Sequence, residues 1–142
     1  MSLSRFDWYD YLTFSQKLVS TIKQEAAFRI ATSRAYYAAY WKARQILVNN
    51  GVDFPSKKSH DFCWKSFTPV RNANGDSIRH LGFALRDRRV HADYQDNPQI
   101  EEKGATSDVQ DAADLIEDLN NLTDTQKHSI VQHARSILPD YT

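Results

Sequence analysis

The chain has 142 residues, equal numbers of basic and acidic side chains at 18 each, and a single cysteine, Cys63. This length suffices for one domain, residues 1–142, with its own hydrophobic core. The balanced charge excludes a positive electrostatic field over the whole molecule that would attract nucleic acid. A single cysteine excludes an intrachain disulfide. The N-terminal stretch MSLSRFDWYDYL is too charged for a signal peptide and no apolar run is long enough to cross a membrane, so we expect a cytoplasmic protein with no membrane partner.

Hydrophobic periodicity predicts an all-α fold, a bundle of four to five helices that includes short ones. The first two predicted helices cover residues 8–22 and 24–49. A short helix capped by Ser56 or Ser59 ends at residue 67, and the next helix is capped by Asp76 or Ser77 and includes Ala92. Two more helical segments cover residues 107 to about 119 and 125–138. The stretch 93–124 is strongly acidic, with Lys103 as its single base, whereas residues 86–91 are basic. Overall neutrality therefore conceals a charge asymmetry that allows a local anion site.

The segment 24–49 is the strongest helix prediction, because it has no glycine or proline and is rich in helix formers. It is apolar around most of its circumference, which predicts a central position in the bundle, and the sequence NNG at 49–51 is a typical C-terminal signal. Its aromatic side chains could stack nucleobases, but core packing is favoured, with one tyrosine hydroxyl reaching a polar site. The aromatic side chains in question are Tyr36, Tyr37, Tyr40 and Trp41.

The segment SHDFC contains two side chains with metal-ligand chemistry, His60 and Cys63. The chain has no second cysteine and no downstream pair of ligands, so we predict no zinc site and no other metal or cofactor. Adjacent helical residues diverge, which means that Ser59 and His60 do not form a nucleophile and its base. A helix cap for Ser59 and a helix-start or interface position for His60 are the favoured roles.

The stretch RDRRVHADY, residues 86–94, contains Arg86, Arg88, Arg89 and His91. Guanidinium groups bind phosphate oxygens bidentately, and a histidine exchanges a proton near neutral pH. Together they could cleave RNA without a metal, with His91 as general acid or base and arginine stabilising the phosphorane. On a straight helix, however, Arg86 and His91 point about 140° apart. From spacing alone a solvated basic helix end is favoured, and a second chain is one way to bring the two side chains together.

Two stretches together resemble the HEPN-domain family. SRAYYAAYWKARQILVNNG, residues 33–51, is similar to the second helix of these proteins, and RDRRVHADY is similar to their arginine-to-histidine motif, with Arg86, the polar Asp87 and His91. KKSH, ending at His60, resembles a serine-histidine pair of one small bacterial and archaeal branch. The resemblance covers about residues 24–94.

The resemblance implies an antiparallel helical bundle that forms a homodimer, in which the motifs of two subunits face one cleft. It implies a metal-independent endoribonuclease, of a kind often found as a toxin or phage-defence effector, with a minimal nucleotidyltransferase as antitoxin partner. Carried onto this sequence, Arg86 and His91 take catalytic roles and Asp87 orients them. Their substrate-binding neighbours are Arg88, Arg89 and Tyr94.

The sequence combines features of two branches of that family. In the serine-histidine branch the usual arginine lies three positions before Ala-Asp-Tyr, which is Arg89 here. In the toxin branch a tyrosine follows the motif histidine at the second position, whereas Tyr94 follows His91 at the third. Two functions therefore stay open: a homodimer that cleaves RNA, and a non-catalytic module whose arginines bind a nucleotidyltransferase partner or a nucleotide.

Overall fold

The structure is a computed structural model that describes residues 5–142, and its helices pack as a bundle. They are α1 (Tyr9–Thr21), α2 (Glu25–Asn49), α3 (Ser59–Ser66), α4 (Ile78–Tyr94), α5 (Glu102–Asn120) and α6 (Asp124–Ile137), and α6 continues into a 3-10 turn at Leu138–Tyr141. Within these residues no strand forms, and the backbones of Arg71 and Ser77 pair only as an isolated bridge ahead of α4. The predicted all-α class is confirmed, but the predicted number of four to five helices is too low, because residues 5–142 form six α-helices. No helix in the described part of the chain is both long and apolar enough to cross a membrane.

The longest helix, α2, lies at the centre of the bundle, where it packs against α1, α4 and α5. Ala31, Ala35 and Ala39 of this helix are completely buried, and side chains this small let neighbouring helices approach closely. The helix ends where its sequence predicts, because Gly51 follows with a φ of 82°, a left-handed conformation that glycine adopts without steric penalty. The central position predicted from its all-round apolar surface is confirmed.

The short helix α3 packs on α4 through a large aromatic side chain. Trp64 of α3 is completely buried, and the absence of a side chain at Gly82 of α4 leaves the space that its indole ring occupies. The same two helices both contact α2, and α3 also contacts α6. This packing places residues 59–66 beside the basic stretch of α4.

The starts of α3 and α4 test the capping signals of the sequence. The Ser77 side chain accepts a hydrogen bond of 3.2 Å from the backbone N–H of His80, so the predicted serine cap of α4 is confirmed. The predicted cap of α3 at Ser56 or Ser59 is wrong. Ser59 is the first helical residue, and Lys58 before it adopts a left-handed backbone with a φ of 56° and no side-chain cap bond.

The start of α5 lies earlier than the sequence predicts, at Glu102 instead of residue 107. The first turn contains Gly104, which has an unfavourable helix propensity, but it is followed by Ala105, which is completely buried in the core. Burial of this residue outweighs the local propensity, because most helix stability in proteins comes from tertiary packing.

The C-terminal end of α4 is held by Arg29 of α2. Its guanidinium group donates hydrogen bonds of 2.7 to 3.3 Å to the backbone carbonyls of His91, Ala92, Gln95 and Asp96. The last carbonyls of a helix have no partner within the helix, and this one side chain binds two of them, those of His91 and Ala92, together with two carbonyls of the segment that follows. The end of the basic stretch is thereby fixed relative to α2.

Candidate functional site

One side of the basic stretch faces α5 and the loop before it. Arg88 donates to two carboxylates of α5, the nearer being Asp111 at 2.6 Å. His91 Nε2 lies 2.9 Å from the backbone carbonyl oxygen of Pro98. Asp87 is exposed and lines the same open groove as Arg88 and His91. Arg88 and His91 therefore contact α5 and the loop before it, and Asp87 lies beside them at the same groove.

The opposite side of the basic stretch carries Arg86 and Arg89, which face α2 and α3. The guanidinium carbon of Arg89 lies 5.7 Å from the ring centre of Tyr36, and the charges of both arginines lower the pKa of His60. Within one chain the charge of Arg86 therefore acts on His60, whereas His91 lies on the side of α4 that faces Pro98. The separation of Arg86 from His91 follows from helical geometry, since residues five apart leave the helix in different directions.

We refer to Tyr36, Tyr40, His60, Arg86 and Arg89 as the His60 cluster. Tyr36 joins it to the core: its hydroxyl oxygen accepts a hydrogen bond of 2.9 Å from Trp64 Nε1 and lies 2.7 Å from His60 Nδ1. An indole N–H only donates, so the hydroxyl proton is free to be donated to Nδ1, and in that arrangement the proton of neutral His60 lies on Nε2. Burial raises the pKa of Tyr36 well above its ordinary value and keeps the phenol protonated. A tyrosine hydroxyl reaching a polar site was expected from the sequence, and Tyr36 provides it.

The imidazole of His60 is held flat against Tyr40, with 4.0 Å between ring centres and 14° between the planes. Burial, followed by the charges of Arg86, Arg89 and Arg44, lowers the pKa of His60 to about 4. The ring is therefore neutral near pH 7, and its Nε2–H remains a hydrogen-bond donor.

Neither arginine of the cluster has all its donors satisfied by the described residues. The Nε atoms of Arg86 and Arg89 are buried without a hydrogen-bond partner. Arg89 is only 8% exposed and has one long contact of 3.4 Å to Asp93, whose carboxylate also accepts from Ser33. A buried cation with too few acceptors is costly. An oxyanion would supply the missing acceptors, and guanidinium forks match phosphate in particular.

Comparisons with protein-family models, curated proteins and solved structures found no match for this chain. The case for a function therefore rests on the chemistry of the His60 cluster and on the positions of the side chains that the sequence singled out. Among residues 5–142, no three His, Cys, Asp or Glu side chains form a group that could hold a metal ion.

The residues singled out in the sequence divide between the two sides of α4 and its end. Arg86 and Arg89 belong to the His60 cluster, while Asp87, Arg88 and His91 face the groove beside α5. Tyr94 is 75% exposed at the last position of the helix. The six residues therefore do not form one site within a single chain.

The position of His60 near the charges of Arg86 and Arg89 is the feature that the sequence did not predict. Two signals pointed towards it, the KKSH motif and the expectation of a tyrosine hydroxyl at a polar site. The missing information was the packing of Trp64 on Gly82, which brings α3 against α4. Nothing in the local pattern of either segment encodes that contact.

Proposed function

We propose that this protein is a metal-independent endoribonuclease of HEPN type, which binds the phosphodiester backbone of RNA at the His60 cluster. One observation carries the proposal: Arg86 and Arg89 keep buried, unpartnered Nε atoms beside a neutral His60. Two guanidinium groups and one imidazole donor together match the several oxygens of a phosphate group. The HEPN resemblance of residues 33–51 and 86–94 agrees with RNA as the ligand.

Cleavage requires the 2′-hydroxyl of RNA to attack the adjacent phosphorus. The bond from O2′ to phosphorus forms, the bond from phosphorus to O5′ breaks, a base takes the 2′ proton and an acid protonates O5′. Arg86 and Arg89 stabilise the charge that develops on the phosphorane oxygens. Burial is the main cause of the lowered pKa of His60, and the charges of Arg86 and Arg89 add to it; a bound phosphodiester offsets these charges and so raises the pKa, and the protonated form of His60 is the acid that protonates O5′.

The base is assigned to His91 of a second copy of the chain. Within one chain His91 lies on the side of α4 that faces Pro98, away from Arg86. A symmetric dimer presents the same surface twice, so that a histidine from one copy can approach the arginines of the other. The homodimer and its composite cleft are part of this proposal, as is a toxin or phage-defence role with a nucleotidyltransferase antitoxin.

The proposal is tested by RNA cleavage in the presence of EDTA. The variants are Arg86→Gln, His60→Gln and His91→Gln, and the matched control is His128→Gln, which replaces an exposed histidine of α6. Loss of a general acid or base is expected to lower the cleavage rate by about 10²- to 10⁴-fold, whereas the control retains the wild-type rate. Equal cleavage by all four variants refutes the site. If Arg86→Gln and His91→Gln lose cleavage activity but His60→Gln retains it, His60 is not the general acid.

A second function, a non-catalytic module that binds a nucleotide or a nucleotidyltransferase partner, is favoured by one observation. The pKa of His60 is lowered to about 4, and a histidine that resists protonation suits a hydrogen-bond donor better than a proton shuttle. Calorimetric titration with ATP separates the two functions when it is run beside the cleavage assay. Nucleotide binding that Arg86→Gln abolishes, together with no RNA cleavage by the wild-type protein, identifies a module.

A further inference from the structure

Asp93, in the last turn of α4, is the acidic neighbour of the His60 cluster. Its Oδ2 atom lies 3.4 Å from Arg89 Nη1 and accepts a hydrogen bond of 3.2 Å from the hydroxyl of Ser33 in α2. Among residues 5–142, no other carboxylate forms an ion pair with Arg89. One carboxylate oxygen is therefore shared between a buried hydroxyl and a buried guanidinium group.

The position of Asp93 is unfavourable for a carboxylate on helix energetics alone. Asp93 is next to the last residue of α4, where the negative end of the helix dipole favours cations over anions. Arg89 precedes Asp93 by four residues, and an ion pair at this spacing is weaker when the base comes first. The helix therefore gains little from this pair, so the main effect of the carboxylate is on the charge of Arg89.

Asp93 compensates the charge of Arg89 only in part. Arg89 is almost completely enclosed, so its guanidinium group needs acceptors within the folded protein. The contact of 3.4 Å is longer than the roughly 2.7–2.9 Å of a strong charge-assisted hydrogen bond, and Nε of Arg89 has no partner. Asp93 thus provides a weakly held counter-ion and leaves part of the guanidinium group without an acceptor.

We propose that Asp93 is a displaceable counter-ion of Arg89, which a phosphodiester of the substrate replaces when it binds. The inference rests on the proposed function, since it assumes that Arg89 binds the phosphate. The Oδ2 atom keeps its hydrogen bond from Ser33 when Arg89 leaves, and the carboxylate is 26% exposed and so remains open to water. A phosphate offers two oxygens to one guanidinium group, which the single contact to Asp93 does not.

Displacement gives Asp93 two opposite effects. In the free protein its carboxylate stabilises the fold, because it is the counter-ion of a buried cation. In the complex the same carboxylate competes with the phosphate for the guanidinium group and weakens binding. Removal of its charge is therefore expected to lower the stability of the protein and to raise its affinity for RNA. Loss of a residue that only supports the fold would lower both.

The test measures binding of a single-stranded oligonucleotide with 2′-O-methyl riboses, which lacks the attacking hydroxyl, by fluorescence anisotropy. Asp93→Asn keeps the shape of the side chain and removes its charge. The matched control is Asp96→Asn, because Asp96 is exposed and bonds to Arg29 through its backbone carbonyl alone. Asp93→Asn is expected to bind about fivefold more tightly than the wild-type protein and to have a Tm lower by about 3 °C. Asp96→Asn is expected to keep the wild-type Tm and to gain less than about twofold in affinity.

Binding by Asp93→Asn that is no tighter than that of the wild-type protein overturns the displacement of Asp93. Arg86→Gln separates this result from a failure of the proposed function, because it is expected to weaken binding of the oligonucleotide. If Arg86→Gln leaves the affinity unchanged, the phosphate site itself is refuted.

Ser33→Ala keeps the test decisive if Asp93→Asn does not fold. This variant retains the charge of Asp93 and removes the hydroxyl that shares its Oδ2 atom with Arg89. The carboxylate can then close on Arg89, so Ser33→Ala is expected to bind the oligonucleotide more weakly than the wild-type protein. Binding as tight as that of the wild-type protein contradicts competition between Asp93 and the phosphate.

Discussion

Replacement of Gly82 by alanine tests the packing on which the candidate site depends. In the structure a Cβ at this position would lie 2.7 Å from Cε2 of Trp64 and closer still to two further carbons of the indole ring. Trp64 is completely buried and cannot move away into solvent. The same ring donates the hydrogen bond to Tyr36 that orients His60, so a shift of the ring reaches the site.

Whether Gly82→Ala raises or lowers the free energy of unfolding depends on whether the gain in helix propensity or the clash with Trp64 is larger. Glycine to alanine inside a helix ordinarily stabilises a protein by about 0.5–1 kcal/mol, through propensity alone. Overpacking against Trp64 costs about 1–3 kcal/mol, and a broken hydrogen bond to Tyr36 leaves buried polar atoms unpaired at about 1–3 kcal/mol more. The clash therefore dominates, and we expect Gly82→Ala to be destabilised by about 3 kcal/mol, which corresponds to a Tm lower by about 10 °C.

The assay is urea unfolding followed by circular dichroism and by tryptophan fluorescence. Gly104→Ala is the matched control, because Gly104 lies in α5 and a Cβ there would have no heavy atom within 4 Å. This control is expected to be more stable than the wild-type protein by about 0.5 kcal/mol, since only the propensity changes. If Gly82→Ala is as stable as Gly104→Ala, α3 does not pack on α4 through Trp64, and the geometry of the His60 cluster is refuted.

Three further predictions follow from the site and its supports. Arg86→Met is expected to unfold at a higher urea concentration than Arg88→Met. Arg86→Met removes a cation whose Nε has no hydrogen-bond partner, whereas Arg88→Met breaks two ion pairs with α5. The reverse order of urea midpoints would contradict these contacts of Arg86 and Arg88. The pKa of His60 in the folded protein, about 4, is below its ordinary value of about 6.5. The contribution of neutral His60 to the free energy of unfolding is therefore complete above pH 6.5 and is lost as the pH falls towards 4. Urea midpoints measured across this pH range should fall less in His60→Gln than in the wild-type protein. Arg29→Met is expected to destabilise the protein by about 2 kcal/mol and to accelerate amide hydrogen exchange at the end of α4, and unchanged exchange there would show that this end is held by other contacts.

The buried arginines also explain why a binding site of this kind costs stability. Arg89 is almost completely enclosed and has one carboxylate contact, to Asp93, at 3.4 Å. A hydrophobic residue of similar size would avoid the desolvation of the guanidinium group. Ligand binding reverses the balance, because an anion that binds only the folded state stabilises it. A rise in Tm on addition of inorganic phosphate is therefore expected for the wild-type protein and not for Arg86→Met.

The sequence was sufficient for the features that depend on local periodicity. Four features could be predicted because each is encoded in consecutive residues of one segment. They are the helical class, the central position of α2, its end before Gly51 and the serine cap of α4 at Ser77. The start of α5 could not, since the burial of Ala105 that extends the helix is a tertiary contact. The sequence also indicated a phosphate-binding chemistry in residues 86–91, and helical spacing alone predicted that Arg86 and His91 diverge.

Only the tertiary structure decided which side chains meet. His60 and Arg86 lie in different helices, and the charge of Arg86 reaches His60 because α3 packs on α4 where Gly82 leaves space for the indole ring of Trp64. The same packing buries Tyr36 and places its hydroxyl oxygen 2.7 Å from His60 Nδ1. A sequence pattern records which residue types are present and which face of a helix they occupy, but the partner across a helix interface is set by how the whole core is filled.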